Sequence, residues 1–167
     1  MDDLAALAGE LRGRDMSLCV DLVLNHTARE HPWARGWIEG DPEYADFYYA
    51  YSDRTMPDAY EATVNDVFPD QAPGSFTWVD EAGDNGAWVW TSFFPYQWDL
   101  NWDNPRVFAA VLETILWLAN RGIEIFRLDA VPFMGKRLGT SCMNQPEVHD
   151  IVQALHALTK LAAPAVV

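Results

Sequence analysis

The chain is poor in three things: cysteine, basic residues and long apolar runs. Its two cysteines, Cys19 and Cys142, cannot build a disulfide framework. Cys19 stands in an apolar run and is expected to be a small buried side chain. Lys plus Arg number 11 against 25 Asp plus Glu, a formal net charge of −14. Such a surface repels phosphate backbones, so no nucleic acid partner is expected. No apolar run is long enough to span a bilayer, so no membrane partner is expected either. The opening Met1-Asp2-Asp3 lacks the basic and apolar regions of a signal peptide. A cytoplasmic location is the expectation if Met1 is the true start. The composition leaves the oligomeric state open.

Aromatics, by contrast, are plentiful: eight Trp, six Tyr and eight Phe. Their faces stack well on sugar rings, but composition alone favours a large core. At 167 residues the chain is long enough for one domain with a real core. It is short of the ~250 residues that a complete eight-fold strand–helix barrel needs.

Leu4, Leu7, Ala8 and Leu11 fall at helical spacing, and Gly13 follows as a stop. Ser17 to Leu24 reads as a strand buried on both faces, which fits a parallel sheet covered by helices. From about Thr27 to Trp102 the periodicity fades and Pro, Gly, Asp and aromatics dominate. A structureless loop of that length is rare in a compact domain, so this segment reads as a small inserted unit. Asp84-Asn85-Gly86 between aromatic runs predicts a hairpin there.

Regularity returns at Asn104-Pro105, a cap followed by proline at the first helical position. Phe108, Leu112, Ile115, Leu116 and Ala119 mark the expected buried side, and Asn120-Arg121-Gly122 closes the helix. Residues 122–131 then predict a buried strand ending in two charges. Arg127 and Asp129 are two apart and so share one face. A last helix is expected with Asn144 as its cap and Val148, Ile151, Val152, Leu155 and Leu158 as its apolar face. Pro164 to Val167 opens a further strand. The order implies α/β architecture.

Two constellations carry chemistry. Arg127 and Asp129 sit at the carboxyl end of a strand, where barrels place their catalytic groups. The cation favours the ionised carboxylate and orients it, as a nucleophile requires. Asp21, Asn25 and His26 end the first strand, and parallel strands would bring both ends to one rim. A neutral imidazole there could hydrogen-bond a sugar hydroxyl. The alternatives are a structural ion pair at 127 and 129, and loop satisfaction at 25 and 26. A zinc site at His26 and His31 fails on spacing, because the two are five apart rather than four.

Leu24-Asn25-His26-Thr27 and Phe126-Arg127-Leu128-Asp129-Ala130 resemble the α-amylase superfamily, glycoside hydrolase family 13. Phe68-Pro69-Asp70-Gln71, Gln97-Trp98-Asp99-Leu100-Asn101, Leu118 to Gly122 and Leu138 to Cys142 resemble its amylosucrase branch. So does the closing Ala162 to Val166. The resemblance implies a partial (β/α)8 TIM barrel holding the third and fourth strands with their flanking helices. Residues 1–26 and 103–167 would be barrel, and 27–102 the inserted B domain. It assigns Asp129 as nucleophile, Arg127 as its orienting partner and His26, Phe93 and Gln97 as sugar-pocket residues. The implied reaction is retaining glucosyl transfer from sucrose to an α-glucan with release of fructose. Its acid/base would be a Glu on a fifth strand that Val167 has barely opened, so this stretch alone is expected to be inactive. Phe94-Pro95 and Val131 to Gly135 depart from the branch pattern close to the expected pocket. Sucrose hydrolysis, another α-glucosidase activity, and a non-catalytic carbohydrate-binding or pseudogene fragment are the competing readings. No cofactor is implied. Asn25 resembles a calcium-binding position of many α-amylases, and calcium is left unassigned.

Overall fold

The computed structural model describes residues 2–82 and 85–167. In chain order these form α1 (Asp2–Arg12), β1 (Cys19–Val23), β2 (His26–Ala28), α2 (Pro32–Ile38), β3 (Ala50–Tyr51) and α3 (Thr55–Glu61). There follow β4 (Phe76–Val79), β5 (Ala87–Trp90), β6 (Gln97–Asp99), α4 (Pro105–Ala119), β7 (Ile125–Asp129) and α5 (Pro146–Ala162). Short 3-10 turns cover Pro42–Tyr44 and Val131–Phe133.

β1 and β7 pair in parallel, with Cys19 opposite Ile125 and Val23 opposite Asp129. The two strands therefore end at one level, and that alignment builds the rim. Val167 adds to the far side of β7. Its N–H donates to Glu124 O at 2.7 Å and its carbonyl accepts from Phe126 N at 3.0 Å. This is the hydrogen-bond pattern of a parallel strand, as the sequence predicts for the chain's last residues.

Residues 50–90 hold a small sheet of their own, ordered β3-β5-β4 and antiparallel. β4 and β5 pair as the predicted hairpin requires, with Trp78 opposite Trp88 and Val79 opposite Ala87. Asp84 of the predicted turn lies outside the described residues. β2 pairs antiparallel with β6, His26 opposite Asp99. This second pairing clips residues 97–99 back beside the end of β1.

α4 forms where the sequence places it. The Asn104 side chain accepts from Arg106 N at 3.0 Å, and Pro105 opens the first turn. Gly122 ends the turn that follows at a φ of 90°, a conformation that side chains disfavour. The fully buried line is Val107, Val111 and Ile115, with Phe108 and Leu112 half-buried beside it. The observed stripe is thus rotated by one residue from the predicted one. Around it Leu24, Trp98, Leu100, Trp102, Met134 and Leu155 close the main core. Tyr49, Tyr60, Phe76, Trp90 and Cys142 form a second core under the small sheet.

Four expectations need correction. β1 is not buried on both faces, because its residues alternate between exposed and half-buried. Cys19 is exposed, not buried. The physical reason is the same for both: among the described residues β1 pairs with β7 alone, so its outer edge and one face lack cover. The cap of α5 is Gln145, not Asn144, and it makes no side-chain bond to the helix. Asn144 instead turns the chain at a φ of 54°, and Pro146 presets the first helical φ. On the face of α5, Leu158 is 41% exposed and Thr159 is buried in its place.

Candidate active site

β7 delivers Arg127 and Asp129 to the same side, as alternation demands. Arg127 Nη2 donates to Asp129 Oδ1 at 3.2 Å. Arg127 Nη1 donates to Asp21 Oδ2 at 2.8 Å. Asp21 stands directly opposite Arg127 in the β1–β7 register. One guanidinium thus bridges two carboxylates on neighbouring strands. Their charges raise the Arg127 pKa, that of Asp129 most. The trio is open to solvent, with Arg127 58% and Asp129 46% exposed at the side chain. A carboxylate that must meet a substrate has to be reachable in this way.

The backbone after Asp129 turns at once. Ala130 takes φ 56° and ψ 19°, the left-handed region, and leads into the 3-10 turn at Val131–Phe133. The carbonyl of Asp129 accepts from Leu24 N at 3.2 Å, which ties the end of β7 to the segment carrying Asn25 and His26. That segment is gripped from the other side too. Trp102 Nε1 donates to Leu24 O at 2.8 Å, and Leu100 N donates to Asn25 O at 2.8 Å.

His26 therefore reaches the rim from β2, beside Gln97 of β6. Its Nε2 lies 3.0 Å from Gln97 Nε2, and its Nδ1 lies 3.4 Å from Asn25 Nδ2. The Phe93 ring packs against it at 5.0 Å between centroids, and Phe133 backs Phe93 at 5.0 Å. Burial lowers the His26 pKa. The charges of Asp99 and Asp129 oppose that shift and Lys136 assists it. The ring is thus biased towards its neutral form, able to hydrogen-bond a neutral hydroxyl. Arg127 and Asp129 form one group, His26, Phe93 and Gln97 another, and the charge of Asp129 is felt at His26.

Sequence reasoning missed a third group. Lys136 Nζ donates to Asp99 Oδ2 at 2.6 Å, to Phe133 O at 2.7 Å and to Ser92 Oγ at 3.2 Å. All three ammonium protons are used. Asp99 also accepts from Ser92 N at 3.1 Å and Ser92 Oγ at 2.5 Å. The Trp90 ring lies 4.5 Å from the ammonium. Lys136 and Asp99 are 1% and 0% exposed at the side chain. This joint locks β6, which carries Gln97, to the loop after β7, which carries Phe133. A lone lysine in the run from Val131 to Gly135 and beyond was the available signal, but its partner lies 37 residues away. Among the described residues no three His, Cys, Asp or Glu side chains converge as a metal site.

A glucosylglycerate phosphorylase of Spirochaeta thermophila is 35% identical over 152 residues, 90% of this chain and 24% of its own length. A trehalose synthase of Pimelobacter sp. is 36% identical over 156 residues, 92% of this chain and 26% of its own. The chain thus spans about a quarter of the length of these relatives. A solved structure described as a family GH13_31 enzyme superposes with a TM-score of 0.80 at 25% identity, covering 100% of this chain and 33% of that one. The fold is that of part of a (β/α)8 barrel. The alpha-amylase catalytic-domain family model matches residues 1–166. Matched along nearly its whole length, the chain belongs to the alpha-amylase family, glycoside hydrolase family 13.

Proposed function

We propose that this chain is the nucleophile-bearing part of an amylosucrase-like enzyme. It would take glucose from sucrose with retention of configuration, pass it to an α-glucan and release fructose. Membership of the family supports the wider class, a glycosidase or transglycosylase. The narrower choice of sucrose rests on the motifs at residues 68–71, 97–101, 118–122 and 138–142.

The observation that carries the reading is the bridged carboxylate at the rim. Asp129 Oδ1 is held by Arg127, while half of its side chain stays open to the cleft. In this reading the free carboxylate oxygen attacks the anomeric carbon, and a glucosyl ester replaces the bond to fructose. The leaving oxygen takes its proton from a second carboxyl ~5–5.5 Å from the first. The resemblance assigns that group to a Glu on the strand opened at Val167. Water or a glucan hydroxyl then reverses the step on the same face. His26 and Gln97 would hold the sugar's hydroxyls and Phe93 its apolar face.

The test uses the natural-length protein that carries both carboxyls. With sucrose and an α-glucan primer, fructose release and glucan extension are expected together. Asp129→Asn should abolish both and leave the fold unchanged by circular dichroism. Turnover of trehalose or a glucosyl phosphate, with sucrose inert, would overturn the choice of sucrose while leaving Asp129 as nucleophile. Full activity in Asp129→Asn would overturn the whole reading.

A further inference from the structure

His26 stands between two primary amides whose nitrogens both face it. Asn25 Nδ2 lies at Nδ1 and Gln97 Nε2 lies at Nε2. The two amide oxygens, Asn25 Oδ1 and Gln97 Oε1, are buried with no hydrogen-bond partner. These facts conflict with proton counting. A neutral imidazole has one N–H and one lone pair, and an imidazolium has two N–H groups. In neither form can both ring nitrogens accept. At least one amide must present its oxygen instead, by a half-turn that keeps its shape.

Turning either amide leaves one NH2 and one carbonyl buried without a partner, because Asn25 Oδ1 and Gln97 Oε1 are both buried and unpartnered. Distance decides between them. The 3.0 Å contact to Gln97 suits N–H···O, whereas 3.4 Å to Asn25 fits a looser N–H···N. Turning both would require a charged ring, which burial disfavours.

We infer that Asn25 is a positioning residue: its Nδ2–H donates to His26 Nδ1 and fixes the Nε2–H tautomer, and Gln97 accepts that proton through Oε1. The His26 Nε2–H is then paired with Gln97, and the tautomer fixes the polarity of that pair beside the sugar pocket. The consequence for sugar binding rests on the proposed function, but the tautomer does not.

The test reads ring nitrogens, not turnover. Nitrogen-15 histidine spectra of the protein are recorded at a pH where the ring is neutral. His26 signals are assigned by their loss in His26→Gln. A lone-pair-type Nδ1 and a protonated Nε2 are expected in the wild type. Asn25→Asp, which can only accept, should move the proton to Nδ1. Gln97→Glu should keep it on Nε2. A wild-type ring protonated at Nδ1 would overturn the inference, as would a switch in Gln97→Glu with none in Asn25→Asp. Should Asn25→Asp not fold, the wild type and Gln97→Glu still decide. If sucrose proves inert while the tautomer pattern holds, the functional reading fails and this inference stands.

Discussion

Two of the aspartate–cation groupings, at the rim and at the joint, share their chemistry and differ in their surroundings. At the rim, Arg127 bridges Asp21 and Asp129 with all three side chains about half exposed. At the joint, Lys136 holds Asp99 with 1% and 0% exposure and no spare proton. An exposed pair gains little from Coulomb attraction because water screens it. A buried pair gains more, but it costs so much desolvation that removing one partner is severe. The rim pair is therefore suited to aiming a reactive carboxylate, and the joint to holding two segments together. The choice of cation fits this division. The arginine fork reaches two carboxylates at once, whereas the compact ammonium fits between a carboxylate, a hydroxyl and a carbonyl.

The contrast predicts five outcomes, ordered by their effect on stability. Lys136→Ala should lower unfolding stability by about 3–5 kcal/mol, read by denaturant titration. A loss below about 1 kcal/mol would remove the distinction between the two pairs. Lys136→Met with Asp99→Leu should recover much of that loss, because no unpaired charge stays buried.

Acidification comes next. His26 and His31 both have lowered pKa values, chiefly from burial. The folded state thus binds fewer protons than the unfolded chain, so their contribution is complete above the ordinary histidine value of 6.5. It should be lost as pH falls from there through the lowered folded values. His26→Gln should flatten part of the slope in melting temperature against pH.

Arg127→Ala should hardly move the melting temperature. In the natural-length protein it should cost about 100-fold or more in glucosyl transfer, through misplacement of Asp129. The smallest effect is that of salt. Between ~0.1 and ~1 M the Debye length falls from ~10 to ~3 Å. The rim pair should weaken and the joint stay unchanged, visible as a salt-dependent shift of the Asp129 carboxyl carbon signal and none for Asp99.

Much of this was legible in the sequence because it rests on local rules. Asn104-Pro105 announces α4, and the two-residue spacing of Arg127 and Asp129 places them on one face. The resemblance of residues 24–27 and 126–130 named the family. What escaped depends on distance along the chain. Nothing near Lys136 announces Asp99, 37 residues away, and Asp21, although expected at the same rim, is not announced as a partner of Arg127. Cys19 shows the opposite failure. Its apolar neighbours indicate burial, but burial is decided by what packs against β1. Asn144 reads as a cap by residue type, yet Pro146 fixes the helix start two residues later.

Ala130 has a consequence for how quickly the candidate nucleophile can act. A left-handed alanine carries a standing cost of roughly 1–2 kcal/mol that glycine would avoid. In exchange, the backbone behind Asp129 loses the freedom that glycine would give it. With its carbonyl pinned by Leu24 N, Asp129 keeps only the two torsions of its own short side chain. The search for a reactive orientation is then confined to rotamer hops, on the picosecond-to-nanosecond scale.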